Sequence, residues 1–222
     1  MLRVMTSQAP LSSSPRTQLA RHRERAQTDR RELYAVLDAG IVCHLGVVVD
    51  GLPVVLPTCY GRIGDNLYLH GSVANKSIGA AAGGQAACVT VTHLDGIVLA
   101  RTVFHHSVNY RSAVIFGTAR LITADPERLR GLRAIVEQVA PGQWGAARTP
   151  NRKELAATSV IAMSLAEASV KVRSGPPADD PEDHELGVWA GVLPVRTAFG
   201  EPEADPGLPP GVAVPAHVRS RT

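Results

Sequence analysis

The stretch with the clearest chemical potential covers residues 67–77 and has the sequence LYLHGSVANKS. Its alternating apolar residues predict a strand that ends in His70-Gly71-Ser72, and Asn75-Lys76-Ser77 then begins an alanine-rich segment that predicts a helix. Backbone N–H groups and the dipole at a helix start favour negative charge, and Lys76 adds a full positive charge. Since the chain has only three lysines against twenty arginines, we interpret this stretch as a candidate anion-binding site.

Two further groups of residues suggest metal chemistry, and the sequence argues against both. His105 and His106 are adjacent; on a strand they would point to opposite faces, and no acidic or cysteine ligand is spaced to complete a site. The three cysteines, Cys43, Cys59 and Cys88, show no metal-ligand spacing and lie in apolar strand-like runs. We therefore predict no metal site, and unpaired cysteines favour a reducing compartment.

The elements that must position these residues are short strands joined by tight turns. Helices are predicted from Asp29, Asn75, the Asp125-Pro126 pair and Asn151, while Asp50-Gly51 and Asp95-Gly96 are turn signals. Strands are predicted over 41–49, 52–60, 66–70, 86–93, 97–103, 111–122, 160–165 and 169–173. This order predicts a mainly β fold with peripheral helices, an antiparallel barrel, and not a doubly wound sheet, because no GxGxxG opens a helix.

Composition divides the 222 residues into a body and two tails. Residues 1–28 form a predicted flexible basic arm, 29–175 the barrel domain, and 176–222 an acidic tail that holds nine of the sixteen prolines, with an ordered segment near 187–195. The arm has no aromatic interleaving, so we predict no nucleic-acid partner. Without a signal-peptide apolar region or a run of roughly 20 apolar residues, we expect no membrane partner and a cytoplasmic protein.

At the level of motifs the chain resembles a known family. The motifs are VVLPTCY, LYLHGS with its NKS helix, ACVTVT, FHHSVNYRS and a late VWAGVLPV. In this order they resemble the pyridoxamine 5′-phosphate oxidase-like split barrels, in the flavin-nucleotide-binding branch close to nitroimidazole reductases, over about residues 30–195. The resemblance implies an antiparallel split β-barrel homodimer with FMN in clefts between the barrels.

The implied function is an FMN-dependent oxidoreductase that passes electrons from a nicotinamide or other donor to a small-molecule substrate, a planar or nitro-aromatic acceptor. The alternative is a non-catalytic flavin or heme binding or sensing protein, with His70 or His105 as the heme ligand; a deazaflavin is a further alternative to FMN. The family's late arginine-histidine pair is not clearly matched, which argues against oxidation of pyridoxamine phosphate itself.

The resemblance also assigns site residues. It places His70 beside the flavin as the catalytic residue, Lys76 on the phosphate, and Trp189 over the flavin or substrate. Each has a structural alternative, such as a solvated helix-end lysine, a hydrogen-bonded core histidine or plain barrel core. The full set of implied cofactor-binding residues is Val55, Leu56, Pro57, Thr58, His70, Gly71, Ser72, Asn75, Lys76, Ser77, Tyr110, Arg111, Ser112 and Trp189, in which Ser112 stands where the family has a longer glutamine.

Overall fold

The computed structural model describes residues 10–11 and 14–221. The helices are α1 (Arg30–Ala39), α2 (Lys76–Ala82), α3 (Asp125–Val139), α4 (Gln143–Ala146), α5 (Arg152–Ala156) and α6 (Ala216–Arg219), and three 3-10 turns cover Arg23–Arg25, Val103–His105 and Pro181–Glu185. The strands are β1 (Ala26–Gln27), β2 (Val42–Val49), β3 (Leu52–Ile63), β4 (Asn66–Ser72), β5 (Ala86–Leu99), β6 (Ser107–Leu121), β7 (Thr158–Ser164), β8 (Glu167–Arg173) and β9 (Gly191–Pro194).

Six strands close into an antiparallel ring. The order is β6-β7-β4-β3-β2-β5, and β5 pairs with β6 again to complete the barrel, while β8 extends the sheet from β6 and β9 from β5. Long, bent strands make closure possible, because β6 pairs with β5 and β8 along its first part and with β7 at its end. The predicted mainly β, antiparallel barrel with peripheral helices is confirmed.

Helices α1 and α2 each bury apolar side chains in the core of the barrel. Leu33 and Leu37 of α1 and Ile78 of α2 are fully buried and belong to the same apolar cluster as the inward strand residues. A second cluster lies outside the ring, where Leu132 and Ile135 of α3 pack on the outward side of β4 and β7. Asp29, which accepts a hydrogen bond from the Arg31 N–H, begins α1 as predicted.

Gly61 sets the distance between β3 and α3. A Cβ atom at this position would lie within 2.5 Å of the backbone of Ala134 and Ile135. The clash could be relieved only by moving the main chain of β3 or α3. We expect Gly61→Ala to lower the free energy of unfolding by about 3 kcal/mol, the upper range for overpacking, in a denaturant titration. Gly79→Ala is the control, since nothing lies within 4 Å of its Cβ position in α2; an equal loss in both variants would contradict this account.

One predicted turn is wrong. Asp95-Gly96 does not end a strand, because β5 continues from Ala86 to Leu99 and the register with β6 shifts between Leu94 and Gly96. The dipeptide therefore forms a β-bulge. The prolines of β3 lie where a strand tolerates them. Residues 52–59, which contain Pro53 and Pro57, pair only with β2 within the described chain, so this part of β3 is an edge segment.

Both tails make contacts with the barrel in the described residues. Ala26 and Gln27 pair with β8, and the Arg16 guanidinium forms an ion pair with Glu167. In the later tail, β9 pairs with β5 inside the segment that the sequence predicted to be ordered. The division into arm, barrel and tail remains a prediction. None of the helices between residues 14 and 221 has the length and apolar character that crossing a lipid bilayer requires.

Candidate functional site

The start of α2 is occupied by its own cap. The Asn75 side chain accepts hydrogen bonds from the N–H groups of Ser77 and Ile78, at 3.0 and 3.1 Å. Two of the donors that the sequence assigned to an anion are therefore used within the chain. Gly71 lies against this turn, because a Cβ there would meet Ile78 at 2.9 Å.

Lys76 projects from this turn toward solvent. Its side chain is 78% exposed, and Nζ donates to Asp50 Oδ2 at 3.2 Å in the turn between β2 and β3. Exposed ion pairs of this kind contribute little, about 0–1 kcal/mol, so a phosphate could replace the carboxylate. Ser72 Oγ accepts from the Ala74 N–H, so its lone pairs are partly used, and Ser77 is buried.

His70 differs from the rest of this stretch because one of its ring nitrogens is buried and unpaired. Among the described residues its Nδ1 atom has no hydrogen-bond partner and is shielded from solvent. Burial lowers the pKa of the imidazole by desolvation, so the neutral form is favoured at pH 7. It follows Tyr68 on the outward side of β4 and pairs across to Val160 of β7, beside the second apolar cluster. A neutral, unpaired ring nitrogen can accept or donate a hydrogen bond or bind a metal ion.

The outward sides of β3, β2, β5, β6 and β8 form one continuous surface, which we call the open face. Register places Pro57, His44, Thr90, Val114 and Ser169 in a row across the five strands. Apolar side chains on this face are exposed; Val55, for example, is 66% exposed. The open face consists of Val42, His44, Val48, Pro53, Val55, Pro57, Thr90, Thr92, Leu94, Tyr110, Ser112, Val114, Ser169, Lys171 and Arg173.

Strand alternation divides the predicted site residues between the two sides of the sheet. Val55, Pro57, Tyr110 and Ser112 lie on the open face, whereas their neighbours Leu56, Thr58 and Arg111 point the other way. Ser112 Oγ contacts the Lys171 carbonyl at 3.4 Å, so it stays close to its own sheet. The structure thus brings part of the predicted set together on one surface.

Arg111 already has a carboxylate partner. Its Nε and Nη2 atoms donate to the two oxygens of Asp95 at 2.9 and 2.8 Å, a bidentate pair made possible by the bulge in β5. Hydrogen bonding to Arg111 lowers the pKa of Asp95, so the carboxylate is charged near neutrality. A phosphate contact by Arg111, as the resemblance implied, would have to displace this pair.

Two cations of β8, Lys171 and Arg173, give the open face a positive edge. Lys171 pairs with Ser112 in the register, and Arg173 pairs with Tyr110. Burial, and to a smaller extent the nearby Arg25, lower the pKa of Arg173 from its usual value. An apolar surface with hydroxyl groups and a cationic edge can hold a flat ligand that carries a phosphate.

Trp189 lies just before β9 and is 67% exposed. Its indole packs on Gly191, where a Cβ would lie 2.8 Å from the ring, so the glycine permits the close approach. Because β9 pairs with β5, the indole is held at the edge of the barrel while most of its surface stays available.

His44 is a candidate that the sequence reasoning did not identify. It lies in the middle of the open face between Pro57 and Thr90, and it is exposed without a hydrogen-bond partner in the described part of the chain. The signal was present in β2, where a polar residue interrupts an apolar run at an outward position. His44 becomes a candidate only when the five strands are assembled into one surface, and the sequence of β2 alone does not show that surface.

Comparison with known proteins gives a family and several structural relatives. Residues 29–172 match the profile of the family described as pyridoxamine 5′-phosphate oxidase. The flavocytochrome Anf3 of Azotobacter vinelandii is 39% identical, with a TM-score of 0.90 and coverage of 96% of this chain and 99% of that one. An FAD and heme binding protein of Mycobacterium smegmatis is 40% identical, with a TM-score of 0.85 and coverage of 89% and 97%.

A more distant structure shares the fold. A protein of Bacteroides thetaiotaomicron, described as a 5-nitroimidazole antibiotic resistance protein, is 20% identical, with a TM-score of 0.56 over 66% of this chain and 86% of that one. No curated protein matches the sequence.

Proposed function

This chain belongs to the pyridoxamine 5′-phosphate oxidase family, and on that premise we propose that it is a redox protein that binds a flavin together with heme. The observation that carries the proposal is the similarity, over nearly the whole chain, to two proteins that are each named for both cofactors. A flavin can accept two electrons at once and pass them on one at a time, and a heme carries single electrons. We expect a reduced nicotinamide as electron donor and a small planar acceptor.

The open face fits the three chemical parts of a flavin. Apolar side chains such as Val55 and Pro57 offer a surface for the ring, hydroxyl groups such as Tyr110 can bond the polyol, and Lys171 can neutralise a phosphate. The resemblance implied FMN, whereas the Mycobacterium smegmatis relative is named for FAD. We therefore propose a flavin nucleotide and expect FAD in the purified protein.

His70 fits a heme ligand better than the other histidine considered from sequence. Its buried Nδ1 has no partner among the described residues, and desolvation keeps the ring neutral, which is the form that binds iron. His105 instead has its Nε2 atom 3.1 Å from Asp180 Oδ2. In this assignment His70 binds heme, the alternative that the sequence left open, and is not the catalytic residue beside the flavin.

A second copy of the chain is the proposed cover for the open face. The face exposes apolar side chains from several strands, including Val42, Val48 and Val55, and its charged groups are concentrated at the β8 edge. A homodimer that buries this surface would enclose the flavin between the copies and let Trp189 reach across the seam. This is the arrangement that the family resemblance implied.

The cofactor content of the purified full-length protein tests the proposal. We expect a visible spectrum with both flavin bands and a Soret band, acid-released FAD on chromatography, and bleaching of the flavin bands by NADH or NADPH under anaerobic conditions. If FMN is released in place of FAD, only the identity of the flavin nucleotide in this proposal changes. A colourless protein that binds neither added flavin nor hemin would contradict the proposal.

The three lysines allow a matched test of the phosphate contact. If Lys76 exchanges Asp50 for the flavin phosphate, Lys76→Ala should weaken flavin binding by roughly 1–3 kcal/mol, the range for a charge-assisted hydrogen bond. Titration of the apoprotein by flavin fluorescence quenching measures this change. Lys153→Ala in α5 is the control and should bind normally. A loss in Lys171→Ala with no loss in Lys76→Ala would assign the phosphate to Lys171 on the open face and not to Lys76.

A further inference from the structure

We propose that His105, Asp180 and Asp183 bind a divalent transition-metal ion that fastens the acidic tail to the barrel. One potential ligand atom from each of the three side chains lies within 4.8 Å of the other two. The imidazole and the carboxylates come from segments about 75 residues apart, so their convergence is a property of the fold and not of a local acidic run. The proposal is independent of the flavin and heme sites.

The histidine side of the cluster is held by its own turn. His105 ends the 3-10 turn Val103–His105, and its N–H donates to the Thr102 carbonyl at 3.3 Å. The Phe104 ring contacts the imidazole edge-on, with centroids 5.1 Å apart. The sequence analysis argued against His105 and His106 as a pair of ligands, and the site proposed here uses His105 alone, in a turn and not in a strand.

The acidic side is held by a second turn. Asp183 is three residues after Asp180, and its N–H donates to the Asp180 carbonyl at 3.0 Å. In a 3-10 turn residues three apart lie on the same side, so both carboxylates can face the imidazole. These are the acidic ligands that the sequence analysis did not find near His105.

A neighbouring ion pair brings the two turns together without using the proposed ligands. Asp179 accepts hydrogen bonds from the Arg101 backbone N–H and from Arg101 Nη1, both at 2.9 Å, and its side chain is 1% exposed. The ligands are therefore placed in advance of any ion. Because Asp179 pairs with Arg101, the charge of this neighbouring guanidinium is already balanced.

The spacing and the ligand types suit a transition metal. His105 Nε2 and Asp180 Oδ2 are 3.1 Å apart, and two atoms bound to one ion at about 2.0–2.2 Å are separated by about 3 Å when the angle at the metal is near 90–110°. One imidazole nitrogen with two carboxylate oxygens favours Zn²⁺ or Mn²⁺ over Mg²⁺ and Ca²⁺, which take oxygen ligands. Two carboxylates also neutralise a divalent charge.

Binding of the ion would control the order of the following tail. Residues 186–195 continue directly from the second turn into β9, and they carry Trp189. Fixing Asp180 and Asp183 to the barrel should therefore slow local opening of this segment. The ion would be structural, closing a loop between the β5–β6 connection and the tail.

Titration of the full-length, chelator-treated protein with Zn²⁺ tests the site. We expect one ion per chain, and affinity lower by about tenfold or more in Asp183→Asn and His105→Gln, since loss even of outer groups costs roughly 10–100-fold. Glu182→Gln and Glu185→Gln, exposed acids of the same turn, are matched controls that should bind normally. Hydrogen exchange should slow over residues 181–195 on adding Zn²⁺ to the wild type and not to Asp183→Asn.

Two results would overturn the proposal. Zinc affinity that is the same in Asp183→Asn and the wild type would exclude the carboxylate as a ligand. Loss of the Soret band in His105→Gln, with heme retained in Asp183→Asn, would assign His105 to heme. The zinc titration requires neither flavin nor heme, so its failure is distinct from failure of the proposed function.

Discussion

Replacing His70 with leucine should remove heme from the purified protein and leave its flavin bound. A direct iron ligand should matter more than the outer-shell groups whose loss costs roughly 10–100-fold in metal affinity. We therefore expect the Soret absorbance per chain to fall by at least about tenfold in His70→Leu. Leucine suits the site because it replaces a half-buried ring, whose buried Nδ1 has no partner among the described residues, with an apolar group, so the fold should not be destabilised.

The surroundings of the eight histidines explain this choice. Five of them have a ring nitrogen within hydrogen-bond distance of a protein oxygen: His22, His93, His105, His106 and His217. Two more, His44 and His184, are exposed. In the described chain His70 alone combines a buried ring nitrogen with no partner, which is the state that a ligand or cofactor atom would relieve.

His106→Leu is the control for this experiment. His106 is an exposed histidine whose Nδ1 lies 2.8 Å from the Thr102 carbonyl, and its loss should leave both cofactors in place. If His70→Leu instead keeps its heme and loses flavin or changes the flavin potential, His70 lies beside the flavin as the family resemblance implied. Matching circular dichroism spectra for the two variants confirm that both are folded.

Local signals predicted the elements of the fold where local and long-range preferences agree. Asp29, Asn75 and Asn151 each cap the helix that the sequence placed after them. The Asp95-Gly96 signal failed because β5 gains more from continuing its ladder with β6 than from turning. The bulge also gives Arg111 a bidentate partner, a long-range gain that no dipeptide pattern contains.

The candidate site was less predictable because its surfaces are assembled from distant strands. Alternation within β3 could assign Val55 and Pro57 to one side, but which side is open depends on the pairing of five strands. The helix start was predicted correctly, yet Asn75 uses the N–H groups that an anion would need. The approach of Asp180 to His105 depends on the path of the tail, which composition alone made look unstructured.

Val55→Asp should convert the proposed homodimer into monomers. Val55 lies on the exposed part of the open face, pairs with Gly46 of β2, and would be buried against the second copy. Burying an unpaired carboxylate costs roughly 3–5 kcal/mol, and a two-fold interface contains the substitution twice. We expect the dimer dissociation constant, measured by sedimentation at several concentrations, to rise by more than about a hundredfold.

Flavin should be lost in parallel, because a cofactor enclosed between two copies has only half its site on a monomer. Ile63→Asp is the matched control: Ile63 is an exposed apolar residue of the same strand, 42% accessible, beyond the open face. It should remain dimeric and keep its flavin. A Val55→Asp protein that is still dimeric would place the interface elsewhere, whereas a monomer with full flavin content would separate flavin binding from dimerisation and confine the cofactor to one barrel.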